Sequence, residues 1–199
     1  LLFHNWQDAH YNIKPAEFTR GFHIEMNEDW FSNFDIEITN FEGSLNLKNP
    51  IIKNSMNQIF IESKINDPYS NLSIDSHLIA IFNAIKSGKE ESLQKPAWVN
   101  RLKELLLEEQ IDHSLKSLSS KLEIHPVHLS REFNRYFGTS LGNYIRLVKL
   151  NKAFCLLASN KFSMTEICYQ CGFYDQSHFI SNFKRVYRST PTALLRKIS

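Results

Sequence analysis

Apolar residues recur at every third or fourth position through most of the second half of the chain, which predicts a series of amphipathic helices. The stretches HLSREFNRYF (128–137) and HFISNFKRVY (178–187) each place three bulky apolar residues four positions apart. Polar side chains fill the positions between them. Each stretch therefore predicts a helix with one apolar stripe and one face that is rich in hydrogen-bonding groups.

Seven helices are predicted after Pro96, because signals that start and end helices recur there at short intervals. Ser114, Ser163 and Asp175 stand where side chains cap the first turn of a helix, and Gly138 follows a helix end. The longest predicted helix runs from 141 to 159. It lies between two pairs of shorter ones.

The first half of the chain has a mixed pattern. Strict alternation in GFHIEM (21–26) and FDIEIT (34–39) predicts two half-buried strands. Helical spacing predicts helices over 51–65 and 71–87, with Gly88 as the stop of the second. The fold class expected is mainly α: a small α+β region with a partial sheet and two helices precedes a seven-helix domain.

The polar stretch 89–96 predicts a linker that divides the chain. We therefore expect an N-terminal region at 1–88 and a helical domain at 97–199. Charge supports the division, because residues 1–96 hold 8 Lys and Arg against 13 Asp and Glu, a net charge of −5. Residues 97–199 hold 15 against 8, a net charge of +7, which favours a polyanion as the partner of the second half.

The helical half contains an internal repeat. From Leu129 onward the chain resembles itself at an offset of 50, whereas Ile124 matches Phe173 at an offset of 49. The repeat predicts two helix-turn-helix motifs, motif one at 114–138 and motif two at 163–188, joined by the helix 141–159. The second helix of such a motif can lie in the major groove of DNA. The joining helix has 19 residues and is about 28 Å long, close to the advance of about 34 Å per turn of DNA.

Several other classes of protein find no support in the sequence. It contains none of the motifs G-x-G-x-x-G, G-x-x-x-x-G-K-[ST], G-x-S-x-G or H-E-x-x-H, so we expect no enzyme. Cys168 and Cys171 form a C-x-x-C without a second ligand pair, and we expect them to be buried as small apolar residues. No apolar run is long enough to span a membrane.

The segments LSREFNRYFGTSLGNYIRLVKLNKAFCLL and GFYDQSHFISNFKRVYRSTP resemble the DNA-binding domain of the AraC/XylS family of bacterial transcription regulators. The resemblance covers 97–199. Arg188 departs from the family pattern, which usually has Gly there, and Leu195 replaces a usual Tyr. The resemblance implies a cytoplasmic, nucleoid-associated regulator that inserts two recognition helices into successive major grooves of promoter DNA, with RNA polymerase as a further partner.

The resemblance also implies which side chains face DNA. Those expected at base edges are Val127, His128, Ser130 and Arg131 in motif one and Ser177, His178, Ser181 and Asn182 in motif two. Arg131 suits guanine and Asn182 suits adenine. The cations expected at phosphates are Lys121, Arg135, Lys184, Arg185 and Arg188.

Simpler roles remain open for some of these residues. Arg135 and Arg185 could equally solvate a helix face. His128 and His178 could be partly buried spacers, although both lie off the apolar stripe, which favours a DNA-facing role.

For the first half, the resemblance implies the far end of a cupin-like barrel that senses a small-molecule effector. Either the rest of the barrel lies in residues missing upstream, or this chain binds no ligand there. The helices 51–65 and 71–87 could form a homodimer interface or could equally cover the partial sheet. His4, His10 and His23 lack the His-x-His spacing with a following Glu that a cupin metal site needs. We therefore expect no metal and no cofactor.

Overall fold

A computed structural model describes most of the chain. The described residues are 2–5, 22–41, 43–46, 48–90, 96–108 and 112–198. None of the helices formed by these residues is both long enough and apolar enough to cross a bilayer.

The sheet found among the described residues is a short antiparallel pair. β1 (Leu2–Asn5) runs against β2 (Gly43–Asn46), with Leu2 opposite Asn46 and Asn5 opposite Gly43. Neither strand coincides with a strand that alternation predicts. The expected barrel end falls largely on residues 6–21, which lie outside the described residues.

The two predicted strands at 21–26 and 34–39 are wrong. Residues 22–27 run as irregular chain, and Ile38–Phe41 form a turn of 3-10 helix. The alternation has a different physical cause, since Ile24, Met26 and Ile36 pack on a helical cluster while the side chains between them face water. Residues 22–26 lie on helices without pairing to a strand, whereas 34–39 pass through a turn at Asp35, whose φ is +52°, before the 3-10 helix begins.

Three helices surround this cluster: α1 (Glu28–Asn33), α2 (Pro50–Ile65) and α3 (Ser70–Glu90). The Asn27 side chain caps α1 by accepting a hydrogen bond from the backbone of Trp30 at 3.0 Å. The predictions for α2 and α3 are confirmed, but α3 continues through Gly88. The first two residues of the expected linker are therefore helical, and 91–95 lie outside the described residues.

Seven helices lie within the described residues 96–108 and 112–198, which confirms the predicted fold class. They are α4 (Ala97–Leu105), α5 (Leu115–Leu122), α6 (Pro126–Phe137), α7 (Leu141–Ser159), α8 (Met164–Gln170), α9 (Gln176–Tyr187) and α10 (Pro191–Ile198). The bounds of α7 are those predicted.

The α7 helix supplies side chains to two separate cores. Its first turns, with Leu141 and Tyr144, join a cluster formed with α4, α5 and α6. Its later turns, with Leu150, Ala153 and Leu157, join a cluster formed with α8, α9 and α10. Burial raises the pKa of the Tyr144 hydroxyl to about 12. One rigid helix therefore carries one motif at each end.

Two of the three cysteines are part of the second cluster. Cys168 and Cys171 are buried there, as predicted, whereas Cys155 is exposed on α7. Burial raises the pKa of the Cys171 thiol to about 11, so this group stays protonated at neutral pH.

Gly138 and Gly142 offer a matched test of the backbone after α6. Gly138 ends α6 with a φ of +67°, and Gly142 lies inside α7; no atom lies within 4 Å of a Cβ added at either position. We expect Gly138→Ala to lower the free energy of unfolding by about 1 kcal/mol, because an L side chain strains the left-handed region. Gly142→Ala should raise it by about 0.5 kcal/mol through helix propensity. Urea titration of both variants measures the difference, and equal effects would contradict the prediction.

Candidate nucleic-acid interface

Motif one is built by local capping on both sides of its turn. The Ser114 hydroxyl accepts a hydrogen bond from the backbone of Ser117 at 3.2 Å and starts α5. Glu123 ends α5 in the left-handed region with a φ of +55°, and the Ile124 amide donates to the Ser119 carbonyl at 3.0 Å. The chain then turns into α6, the second helix of the motif.

The apolar stripe of α6 is buried as predicted. Leu129 and Phe133 are fully buried, and the rings of Phe133 and Phe137 stack with centroids 4.2 Å apart. Because three successive turns are anchored on the same side, the opposite side of α6 faces water. All four expected base-reading residues of motif one are exposed: Val127, His128, Ser130 and Arg131.

Motif two repeats this construction. Ser163 and Glu166 form a capping box at the start of α8, in which Glu166 accepts from the Ser163 backbone at 2.7 Å. Hydrogen bonds from the Ser163 backbone and, to a smaller extent, from the Ser163 side chain hold the pKa of the Glu166 carboxyl below its usual range. The Asp175 carboxylate starts α9 by accepting from the His178 backbone at 2.7 Å.

The repeat extends to backbone conformation. Gly172 lies in the left-handed region after α8, as Glu123 does after α5, at an offset of 49. Arg188 lies in that region after α9, as Gly138 does after α6, at an offset of 50. The extra residue therefore falls within the turn of motif two, where Tyr174 is 89% exposed. The two motifs share one backbone plan and differ by one residue at the entry to the recognition helix.

Three of the four expected base-reading residues of motif two are exposed on α9. They are Ser177, His178 and Ser181, and they lie on the side opposite the fully buried Phe179 and Phe183.

Asn182 lies elsewhere than expected. It is only 8% exposed, its Nδ2 donates to the His178 carbonyl at 2.7 Å, and its Oδ1 accepts from Arg185 at 3.2 Å. The amide thus has its partners within α9 and does not point into a groove. The spacing could have indicated this, because position 182 follows Phe179 by three residues and so borders the apolar stripe.

All five expected phosphate contacts are exposed: Lys121, Arg135, Lys184, Arg185 and Arg188. One carboxylate that sequence reasoning missed lies among the cations of motif one. Glu132, whose side chain is 18% exposed, lies 3.6 Å from the Arg131 guanidinium and 3.5 Å from that of Arg135. Both arginine side chains are mostly exposed, and ion pairs near a surface are worth about 0–1 kcal/mol each, so neither pair holds its arginine strongly.

Glu132 and Asn182 occupy equivalent positions in the two motifs, at an offset of 50. Each contacts the arginine three residues later, Arg135 in motif one and Arg185 in motif two. The contact orients the guanidinium in both cases. It offsets the positive charge in motif one only, since an amide is neutral.

A further cation lies on α7. The Arg146 guanidinium donates to the Asn143 side chain at 3.1 Å. Burial, and then the positive charge of Arg185, lower the pKa of Arg146. The effect of Arg185 on this pKa indicates that Arg146 on α7 lies near a cation of α9. Sequence reasoning missed this residue because its neighbour is distant in the chain.

Two hydrogen bonds fix the turn of motif two. The Lys149 ammonium on α7 donates to the Gly172 carbonyl at 2.6 Å and lies 5.8 Å from the centre of the Phe173 ring. The Gln176 side chain on α9 donates to the Thr165 hydroxyl on α8 at 2.6 Å. These contacts tie the turn to α7 and the two helices to each other.

The described residues contain no group of three or more His, Cys, Asp or Glu side chains placed to hold a metal ion. His23 is exposed and lies 3.6 Å from Glu25. The side chains of His4 and His10 lie outside the described part of the chain.

Comparison with known proteins finds a similarity that covers this surface. A family described as helix-turn-helix domain matches residues 118–197, which include α6 and α9. A solved structure, the C-terminal domain of the two-component response regulator yesN from Fusobacterium nucleatum, is 30% identical with a TM-score of 0.42. The match covers 51% of this chain and 94% of that one.

Curated relatives carry regulator names. The HTH-type transcriptional regulator GlxA of Rhizobium meliloti is 36% identical over 74 residues, 37% of this chain and 23% of that protein. The HTH-type transcriptional activator RhaS of Escherichia coli is 30% identical over 110 residues, 53% of this chain and 39% of that protein. An uncharacterized HTH-type transcriptional regulator of Haemophilus influenzae is 25% identical over 153 residues, 71% of this chain and 51% of that protein. The chain thus spans about a quarter to a half of the length of these relatives.

Arg188 has a left-handed backbone conformation, so substitutions in α9 can separate the effect of backbone strain on stability from the effect of charge. We expect Arg188→Gly to raise the free energy of unfolding by about 0.5–1 kcal/mol, because glycine adopts the φ of +55° without strain. Lys184→Ala, which removes a positive charge from an exposed position of the regular helix α9, should change stability by less than about 0.5 kcal/mol. Thermal and urea unfolding of both variants measure this. A destabilised Arg188→Gly would show that the Arg188 side chain makes a stabilising contact.

Proposed function

We propose that the chain is a sequence-specific transcription regulator of the AraC type that inserts α6 and α9 into successive major grooves of promoter DNA. The match of residues 118–197 to a helix-turn-helix domain family supports this proposal. One observation carries the proposal. Each recognition helix is anchored by a buried stripe and presents an exposed polar face, and α7 holds the two at its opposite ends.

The dimensions agree with this arrangement. The major groove is about 12 Å wide and accepts a helix of about 10–12 Å diameter. The 19 residues of α7 span about 28 Å, against about 34 Å for a turn of duplex. One chain then reads two adjacent half-sites from one side of the DNA.

The base-reading set follows from exposure. Arg131 pairs with guanine O6 and N7, and the methyl groups of Val127, which is 69% exposed, contact a thymine methyl. Motif two reads through three side chains, Ser177, His178 and Ser181. Asn182 leaves the proposed set and instead orients Arg185 for a phosphate.

Phosphate contacts come from the exposed cations of both motifs and from Arg146 on α7. Because Arg146 lies in the field of Arg185, a phosphate bound between them relieves their mutual repulsion. These contacts set the register of the domain and carry no base information.

The same proposal includes the wider setting of the protein. The regulator names of the bacterial relatives support a bacterial, cytoplasmic regulator of transcription. RNA polymerase as a partner, a small-molecule effector and a homodimer formed through the N-terminal region belong to this proposal as well.

Selection from a random DNA library tests the function directly. We expect the chain to enrich sites with two conserved blocks about one turn apart, and the binding constant to fall steeply with salt. Failure to enrich any sequence, with binding that ignores salt, would contradict the proposal.

Arg131→Ala tests base reading. We expect it to weaken binding to a selected site by about 1–3 kcal/mol and to relax the preference at one base pair, with little effect on random DNA. Competition binding on both DNAs measures this. Equal losses on both would assign Arg131 to a phosphate.

Arg135→Ala and Arg185→Ala form a matched pair for phosphate contacts. Each counterion released contributes about 0.9 to the slope of log K against log salt, so Arg185→Ala should lower that slope by about 1. Arg135→Ala should lower it less, since Glu132 already offsets the charge of Arg135 at 3.5 Å. Salt titrations on one selected site measure both slopes. A larger loss for Arg135→Ala would contradict the role given to Glu132.

A further inference from the structure

The N-terminal region reaches the end of the second recognition helix directly. On α2, the Gln58 side chain donates through Nε2 to the Val186 carbonyl at 2.8 Å. Val186 lies in the last turn of α9, where backbone carbonyls have no partner within their own helix. A side chain from outside the matched domain thus completes a helix terminus inside it.

A buried polar cluster lies beside this contact. Asn57 on α2 donates to the Asn151 carboxamide oxygen on α7 at 3.0 Å and to the Tyr187 hydroxyl on α9 at 3.1 Å. Asn151 in turn donates to the Pro50 carbonyl at 2.8 Å, and the Tyr187 hydroxyl donates to Asn151 at 3.3 Å. Three helices meet at this cluster.

Burial makes the stability of this polar cluster depend on each of its hydrogen bonds. Asn151 is 6% exposed and Tyr187 is 3% exposed, so a lost hydrogen bond there is not replaced by bulk water. Burial also raises the pKa of the Tyr187 hydroxyl, while its hydrogen bond with Asn57 acts in the opposite direction. The hydroxyl therefore stays protonated and available as a donor.

Apolar contacts join α2 to the same core. Ile61 is buried in the cluster formed by α7, α8, α9 and α10, and the Phe60 and Phe154 rings meet at 6.0 Å. Ile52 and Ile59, also on α2, belong instead to the cluster with α1 and α3. The α2 helix is thus shared between the N-terminal region and the second motif, as α7 is shared between the two motifs.

We propose that Asn57 and Gln58 are positioning residues through which the N-terminal region sets the orientation of α9 on DNA. This inference rests on the proposed function. The α6 helix ends differently, at Gly138, whose amide donates to the Asn134 carbonyl at 2.9 Å. A change in the N-terminal region that shifts α2 therefore alters the contacts of α9 with its half-site. The contacts of α6 with its own half-site stay unchanged.

Substitution of Gln58 in the full chain separates this role from a merely structural one. Gln58→Glu keeps the shape but loses the donor and places a negative charge at the negative end of the α9 dipole. Gln58→Lys keeps a donor and reverses that charge. The probe is a DNA site selected with the wild-type chain, footprinted by hydroxyl radicals over both half-sites.

We expect Gln58→Glu to weaken protection of the α9 half-site about tenfold while protection of the α6 half-site is retained. Gln58→Lys should restore wild-type protection within about twofold. Ser63→Ala, at an exposed position of α2, is the matched control and should change neither half-site. If Gln58→Glu fails to fold in a thermal scan, Gln58→Met removes the donor without adding charge.

The outcomes distinguish the two proposals. A wild-type chain that selects no DNA sequence overturns the proposed function. A wild-type chain that does, together with Gln58 variants that bind normally or lose both half-sites equally, overturns the positioning role alone.

Discussion

The arrangement of this protein depends on the packing of one helix, α7, into two cores at once. Leu141 and Tyr144 belong to one core, and Leu150 and Leu157 to the other. Because protein interiors are close-packed, neither core can rotate about α7 without opening voids. The spacing of α6 and α9 thus follows from side-chain packing on α7, and no direct contact between these two helices is needed.

The two motifs at the ends of α7 form the same backbone conformations with different residues. Each needs a left-handed residue after its first helix, and motif one uses Glu123 where motif two uses Gly172. Each orients an arginine from the position three residues earlier, with the carboxylate of Glu132 in one case and the amide of Asn182 in the other. The two motifs therefore have matching backbones but different charges. The surfaces of motif one and motif two differ more in their electrostatics than in their folds.

Much of the helical half was predictable, because its signals are local. The caps at Ser114, Ser163 and Asp175 and the four-residue spacing of the buried rings define helices without reference to distant residues. The N-terminal region was less predictable. Alternation at 22–26 reports that every second side chain is buried, but not whether a strand or a helix lies beneath it.

The residues of the candidate surface also fall into two groups, those that local sequence patterns predict and those that they do not. Exposure of Arg131 follows from its distance from the apolar stripe, and Asn182 could have been assigned from its place beside Phe179. The field of Arg185 at Arg146 and the contacts of Gln58 could not, since they join residues far apart in the chain and depend on how the helices pack. Periodicity identifies which side chains are buried, and only tertiary structure identifies their partners.

The order of the two motifs along one chain has a consequence for symmetry. A dimer with a two-fold axis binds a palindrome equally well in either direction. A single chain carries α6 and α9 in a fixed order, with His125 before α6 and Tyr174 and Asp175 before α9. It therefore has no such axis. Bound as proposed, it lies on DNA with one polarity, so its site distinguishes upstream from downstream.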